Sequence, residues 1–158
     1  MSEPSGSIKA DSDTANPGSA ESARARKQFF RTELAVRWRD LDAFNHVNNA
    51  MYLGYLEEAR LRWLVTLDGP WMNANVAPVV ASALVNFRRP IAWPEDVVVE
   101  LFVDRIGNSS LTLGHRILSA KDSTVLYCDG HVAMVWFDSR SGKSAPLPDC
   151  VREACASQ

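Results

Sequence analysis

The chain has 158 residues, 46% of them hydrophobic and 23% charged, which makes one globular domain with enough apolar material for a real core. A formal charge of -2 and a pI near 5.9 remove any general electrostatic case for nucleic acid or a membrane surface as partner. No apolar run approaches the roughly 20 residues that cross a bilayer, and Cys128, Cys150 and Cys155, with no C-x-x-C spacing, suit a reduced, cytoplasmic setting.

Residues 1–26 are rich in Ser, Ala, Gly, Pro and Asp and read as a disordered tail. They lack a basic-then-apolar secretory pattern, and Glu3, Asp11, Asp13 and Glu21 argue against a transit peptide. A folded domain is expected over 27–149, with a short C-terminal tail over 150–158. It opens with a strand from Gln28 through Phe29 and Phe30, in which Leu34, Val36 and Trp38 share a face. Asp40 and Asp42 close that strand, Asn48 and Asn49 suit a helix cap, and the helix runs through Leu67. At about 100° per residue this helix carries two apolar stripes. The wider one holds Tyr52, Tyr55, Leu56, Ala59, Trp63 and Leu67; the second holds Leu53, Leu61 and Leu64 around Glu57. Glu58 and Arg62 form an i,i+4 pair between them.

After Gly69-Pro70 the chain reads as strand and turn to Asp138. Val76 to Phe87 is one strand, ended by Arg88-Arg89-Pro90; Val97, Val99, Leu101 and Val103 alternate along the next. Gly107-Asn108 turns into Leu111, Leu113 and Ile117, and Asp122-Ser123 makes another turn. The last strand, Thr124 to Phe137, sets Leu126, Cys128, Gly130, Val132, Met134 and Trp136 on one face, opposite Tyr127, Asp129 and His131. The sum is an α+β domain in which a curved antiparallel sheet of about five strands wraps one long central helix.

The chemistry concentrates between Val36 and Arg60. Two acids and an Asn/His cluster stand beside a helix start, where about four backbone N–H groups lack intrahelical partners and the macrodipole adds positive charge. Cleaving a thioester needs a nucleophile or activated water on one side of the carbonyl carbon and donors aimed at its oxygen on the other. Asp42 supplies the first and the helix start the second.

These residues resemble a known family. D-L-D-A-F-N-H-V-N-N-A-M-Y-L-G-Y-L-E-E-A-R is similar to the signature of hot-dog-fold acyl-CoA thioesterases of the 4-hydroxybenzoyl-CoA thioesterase type. The resemblance continues through N-F-R-R-P-I-A-W-P-E-D-V-V-V-E-L, R-I-G-N-S-S-L-T-L and D-G-H-V-A-M-V-W-F-D-S-R-S-G-K-S-A-P-L-P, over residues 30 to about 150. It implies a homodimer or dimer of dimers with active sites at the interface, an acyl-CoA substrate and no cofactor beyond the coenzyme A of that substrate. The catalytic acid falls on Asp42, with His46 beside it, and the polarising amide near Asn49. Asn48, Tyr52, Glu57, Arg88, Arg89, Ser109 and Ser110 are expected to contact substrate, Tyr52 facing the acyl pocket and the arginines or the turn serines meeting phosphate. Plant acyl-carrier-protein thioesterases offer a similar pattern, matched by Asp42 and His46; Phe44 stands where their Asn would be.

Bland readings stand beside these. Asp42 also suits an Asx turn, His46 a loop brace, Asp40 a structural pair with Arg37 or Arg39, and Glu57 a salt bridge to Arg60 at i+3. Two acids so close would raise each other's pKa and favour a general base. His115 and His131 sit on strands without metal-like spacing and suit surface or interface packing, so no metal site is expected. A G-x-S-x-G elbow is missing, and the cysteines read as packing or tail thiols. The expected function is hydrolysis of a fatty or aromatic acyl-CoA; a non-catalytic acyl-CoA binding or sensing protein is the alternative, and a hydratase fits the local order less well.

Overall fold

Alternating apolar residues set the strands, and short turns set their order. The computed structural model describes residues 28–156, so the tail expected over 1–26 lies outside the described residues. β1 (Gln28–Ala35), β2 (Val76–Phe87), β3 (Asp96–Ile106), β4 (Ser110–Ser119) and β5 (Leu126–Asp138) form an antiparallel sheet in the order β1-β3-β4-β5-β2. A two-residue β6 (Lys143–Ser144) pairs with β5. The β3–β4 turn closes with the Gly107 N–H donating to the Ser110 carbonyl at 2.7 Å, and Asp122 Oδ1 accepts from the Thr124 N–H and hydroxyl in the next turn. Register shifts in four strand pairs add local bends, which curl the sheet.

Helix α1 (Asn49–Leu64) lies in that curl. Its wide stripe buries Tyr52, Tyr55, Leu56, Ala59 and Trp63 within the core that Val97, Val99, Leu111, Leu113, Ile117, Val132 and Trp136 line from the sheet. Burying each large side chain of this kind contributes about 1.5–3 kcal/mol. A curved sheet around a central helix is the hot-dog fold. Among the described residues no helix is long and apolar enough to cross a membrane.

Several expectations are corrected. Trp38 does not extend β1: the chain turns at Arg37, whose N–H and Nε both donate to Asp40 Oδ2 at 3.0 and 3.1 Å, and Trp38 is left 75% exposed in a 3-10 turn. α1 stops at Leu64 instead of Leu67, where β-branched Val65 and Thr66 follow and the Thr66 hydroxyl donates back to the Trp63 carbonyl at 2.7 Å. In the second stripe Leu64 is buried, but Leu53 and Leu61 remain 46% and 44% exposed. His115 is buried within the sheet rather than at the surface. The last strand starts two residues late because Asp122 holds Thr124 in the turn.

The segment expected as a C-terminal tail carries helix α2 (Asp149–Ala156). The Pro148 carbonyl accepts from the Val151 and Arg152 N–H groups, and Val151 and Cys155, one turn apart, go into the core. The Arg152 guanidinium then donates to the Gly107 and Asn108 carbonyls, which ties α2 to the β3–β4 turn.

Candidate active site

The loop between β1 and α1 sets two acids in opposite roles. Asp40 is buried, and its Oδ2 accepts from Arg37 and from the Tyr55 hydroxyl at 2.7 Å. Burial pushes this carboxyl up, but the bonds from Arg37 and Tyr55 outweigh it and hold it below the ordinary carboxylate range. The expected mutual raising of two acid pKa values is therefore not what governs Asp40. It is a strut, as its structural reading had it.

Asp42 is half-buried and divides its two oxygens. Oδ1 accepts from the backbone N–H of Phe44 at 2.8 Å and of His46 at 3.3 Å, and the loop tightens further as Asp42 N–H donates to the His46 carbonyl at 2.7 Å. Asn45 takes a positive φ of 63° to complete the turn, a conformation Asn tolerates better than most residues. Oδ2 has no hydrogen-bond partner among the described residues. The Asx turn and a chemical role are thus compatible: one oxygen orients the side chain and the other stays without a partner among the described residues. His46 braces this loop through its backbone, and its ring is exposed.

Asn48 caps the helix. Its Oδ1 accepts from the Ala50 N–H at 2.9 Å and its carbonyl from the Met51 N–H at 2.8 Å. The Asn49 N–H has no acceptor among the described residues. Asp42, His46, Val47, Asn49, Tyr52, Phe87, Arg88, Arg89 and Pro90 line one cleft of about 250 Å³. Buried Tyr52 forms its floor, edge-on to Phe87 with centroids 5.0 Å apart, and its hydroxyl donates to the Arg89 carbonyl at 3.4 Å. On the other side of the same loop, Asp42 also borders a second cleft, of about 470 Å³, with Trp38, Arg39, Leu41, Ala43 and Asn45.

Not all expected contacts come together. Arg88 is tied by Nε and a terminal nitrogen to Asp129, at 2.8 and 3.0 Å, whereas the Arg89 side chain has no such partner among the described residues. Ser109 and Ser110 sit at the end of β3 away from Asp42, since Ala35 pairs with Asp96 at its near end. The 11 residues of β3 put roughly 35 Å between those ends. Glu57 is exposed and outside the cleft, and no salt bridge joins it to Arg60. Val47, Phe87 and Pro90 were not anticipated in the wall; the position of Phe87 just before Arg88-Arg89-Pro90 was the available signal. No group of three His, Cys, Asp or Glu side chains suited to a metal occurs among the described residues.

The model of the thioesterase-like superfamily matches residues 36–155. The chain belongs to that superfamily. It is a thioester hydrolase of the hot-dog kind. Among curated relatives, the long-chain acyl-CoA thioesterase FadM of Escherichia coli is 33% identical over 125 residues, covering 78% of this chain and 94% of that protein. A candidate acyl-CoA thioesterase of Xanthomonas campestris has a solved structure that is 52% identical, with a TM-score of 0.69 over 76% of this chain and 99% of its own. A thioesterase from Thermus thermophilus, solved with coenzyme A and Zn, is 33% identical, with a TM-score of 0.69 over 82% of this chain and 93% of its own.

Proposed function

We propose that this thioester hydrolase acts on acyl-CoA, with Asp42 as the reacting acid and the Asn49 amide as the donor to the oxyanion. What supports the reading is one juxtaposition: an oriented carboxylate with a free Oδ2 and a helix-start N–H with no acceptor line the same cleft. In a general-base course, Asp42 takes a proton from water as the water oxygen bonds to the thioester carbon. The carbonyl electron pair moves onto oxygen beside the Asn49 N–H; the carbonyl then re-forms, the C–S bond breaks, and the leaving thiolate takes the proton. In a nucleophilic course, Oδ2 itself bonds to carbon, the thiolate leaves, and water opens the resulting anhydride. Single turnover in heavy-oxygen water that labels Asp42 identifies the second course, through water attack on the Asp42 carbonyl of the anhydride.

The acyl group lies against Tyr52, Val47 and Phe87. Arg89 is the cation left for phosphate, since Arg88 is held by Asp129. Ser109 and Ser110 reach the same coenzyme A only from a second copy of the chain. A homodimer is supported by β2, a 12-residue edge strand that carries no charged side chain and exposes Val79, Val80, Leu84 and Phe87. Such an edge is a template for pairing unless something covers it. The three cysteines are free, which suits the cytoplasm.

The test is release of free thiol from a panel of fatty and aromatic acyl-CoAs, long chains included because the Escherichia coli relative is named for them. Release above the buffer rate from at least one member is expected. Thermal stabilisation by acyl-CoA with no release across the panel would overturn hydrolysis in favour of binding.

A further inference from the structure

The two clefts at Asp42 divide its surroundings without overlap. The cleft of about 250 Å³ holds the groups that the proposed reading gives to acyl-CoA within one chain: the Asn49 N–H, the Tyr52 floor, Val47, Phe87 and Arg89. The cleft of about 470 Å³ holds none of them. Its walls are Trp38, Arg39, Leu41, Ala43 and Asn45, and Asp42 is the one residue that lines both. Local turns fix those walls. The 3-10 turn that Asp40 ties to Arg37 sets Trp38, and the turn that Asp42 Oδ1 closes on the Phe44 and His46 N–H groups sets Ala43 and Asn45.

Hydrolysis has a second reactant, and it too must reach Asp42. An acyl group set against Tyr52 and Phe87, with its carbonyl oxygen at the Asn49 N–H, takes up the smaller cleft. The reacting water has to touch both the thioester carbon and an Asp42 oxygen, while Oδ1 is engaged by two backbone N–H groups. One water takes about 30 Å³. The larger cleft offers far more than that, and it meets the same carboxylate from the side that substrate leaves open.

We propose that the cleft between Trp38 and Ala43 is the nucleophile side of the site: acyl-CoA occupies one face of the Asp42 loop and water arrives from the other. The assignment rests on Asp42 as the reacting acid, proposed above, and adds the route by which the second reactant reaches it. A cleft much larger than one water also admits a small neutral alcohol, which gives the enzyme a second activity, acyl transfer to methanol. In that step the methanol oxygen bonds to the thioester carbon and its proton passes to Asp42. The carbonyl then re-forms, the C–S bond breaks, and the thiolate takes the proton, leaving a methyl ester and coenzyme A. In the nucleophilic course methanol opens the anhydride instead, with the same products.

The test gives the full-length chain the best acyl-CoA of the panel in buffer with dilute methanol, and reads thiol release and the ratio of methyl ester to free acid. Parent, Ala43→Leu, Ala43→Ser and Asp42→Asn are compared. Ala43 is exposed in a turn, so Leu narrows the cleft without entering the core, and Ser keeps its width. The parent is expected to form ester that Asp42→Asn does not, and Ala43→Ser to match the parent. Ala43→Leu is expected to lower kcat about tenfold while KM stays within about twofold. It should also cut the ester ratio about threefold or more, since methanol is the larger nucleophile. The ratio is read within one sample, so it does not depend on how much of a variant is folded. An unchanged kcat and ratio in Ala43→Leu overturn the route while Asp42 keeps its role. A raised KM at constant kcat overturns it too, because the cleft then holds substrate. So does a parent that hydrolyses acyl-CoA but forms no ester. A parent that releases no thiol overturns hydrolysis itself, and the route with it.

Discussion

The two flanks of α1 differ in how their polar groups are answered. On the β1 flank most polar groups close on one another: Tyr55 and Arg37 on Asp40 Oδ2, Glu58 on Arg62, and Arg62 on Thr32 and the Glu33 carbonyl, with the buried Asp40 Oδ1 left over. On the β2 flank, Asp42 Oδ2 and the Asn49 N–H are left open among the described residues. An open acceptor and an open donor that border the same cleft support the proposal that this side meets substrate. On the proposed reading the first flank carries stability and the second carries function.

Substitutions can break that contrast, and the largest effect belongs to Gly130. Its positive φ of 157° and the nearby Leu84 carbonyl leave no space for a Cβ. Gly130→Ala should cost about 4 kcal/mol or more in chemical denaturation. Next comes Asp40→Ala, expected to cost about 2 kcal/mol by stranding the Tyr55 hydroxyl, while kcat of the folded enzyme stays within about tenfold. The Asp40 carboxyl is held below its ordinary value of 3.8, so its stabilisation is fully present above about pH 4 and is lost as pH falls through the lowered value. Stability measured against pH should show a shallower acid limb in Asp40→Ala.

Smaller effects sharpen the same contrast. Burial pushes the Cys128 thiol up to about 12 and the Cys155 thiol up to about 11. An aromatic disulfide reagent at pH 8 should therefore titrate no more than about one thiol in the native protein, at half-buried Cys150, and all three after denaturation. Smallest is Arg62→Ala: its bonds to Glu58, the Thr32 hydroxyl and the Glu33 carbonyl are all exposed, and a loss of about 0.5–1 kcal/mol is expected in thermal unfolding.

Local patterns carried much of this into the sequence. Period-2 alternation marked β3, β4 and β5, a largely apolar run ended by Arg88-Arg89-Pro90 marked β2, the Asn48 cap marked the start of α1, and an acid at the helix entrance singled out Asp42. Features set by distant contacts were not legible. Arg88 looked available for phosphate because Asp129, 41 residues on, is its neighbour only in the folded sheet. Glu57 and Arg60 have salt-bridge spacing, but one faces solvent and the other the core, a difference that depends on where the sheet lies. Ser109 and Ser110 stood in a suitable turn, and only the length of β3 separates them from Asp42 within one chain. The eight residues of α2 were too few for a convincing period beside an expected tail.

The central claim is that the free oxygen of Asp42 performs the reaction, and the direct measurement is thiol release by Asp42→Asn on the best acyl-CoA of the panel. Asn keeps an acceptor for the Phe44 and His46 amides, so the loop should stay folded, with thermal unfolding and oligomeric state unchanged. The account predicts that kcat falls by about 10² to 10⁴. A folded Asp42→Asn protein that keeps most of its turnover would contradict it.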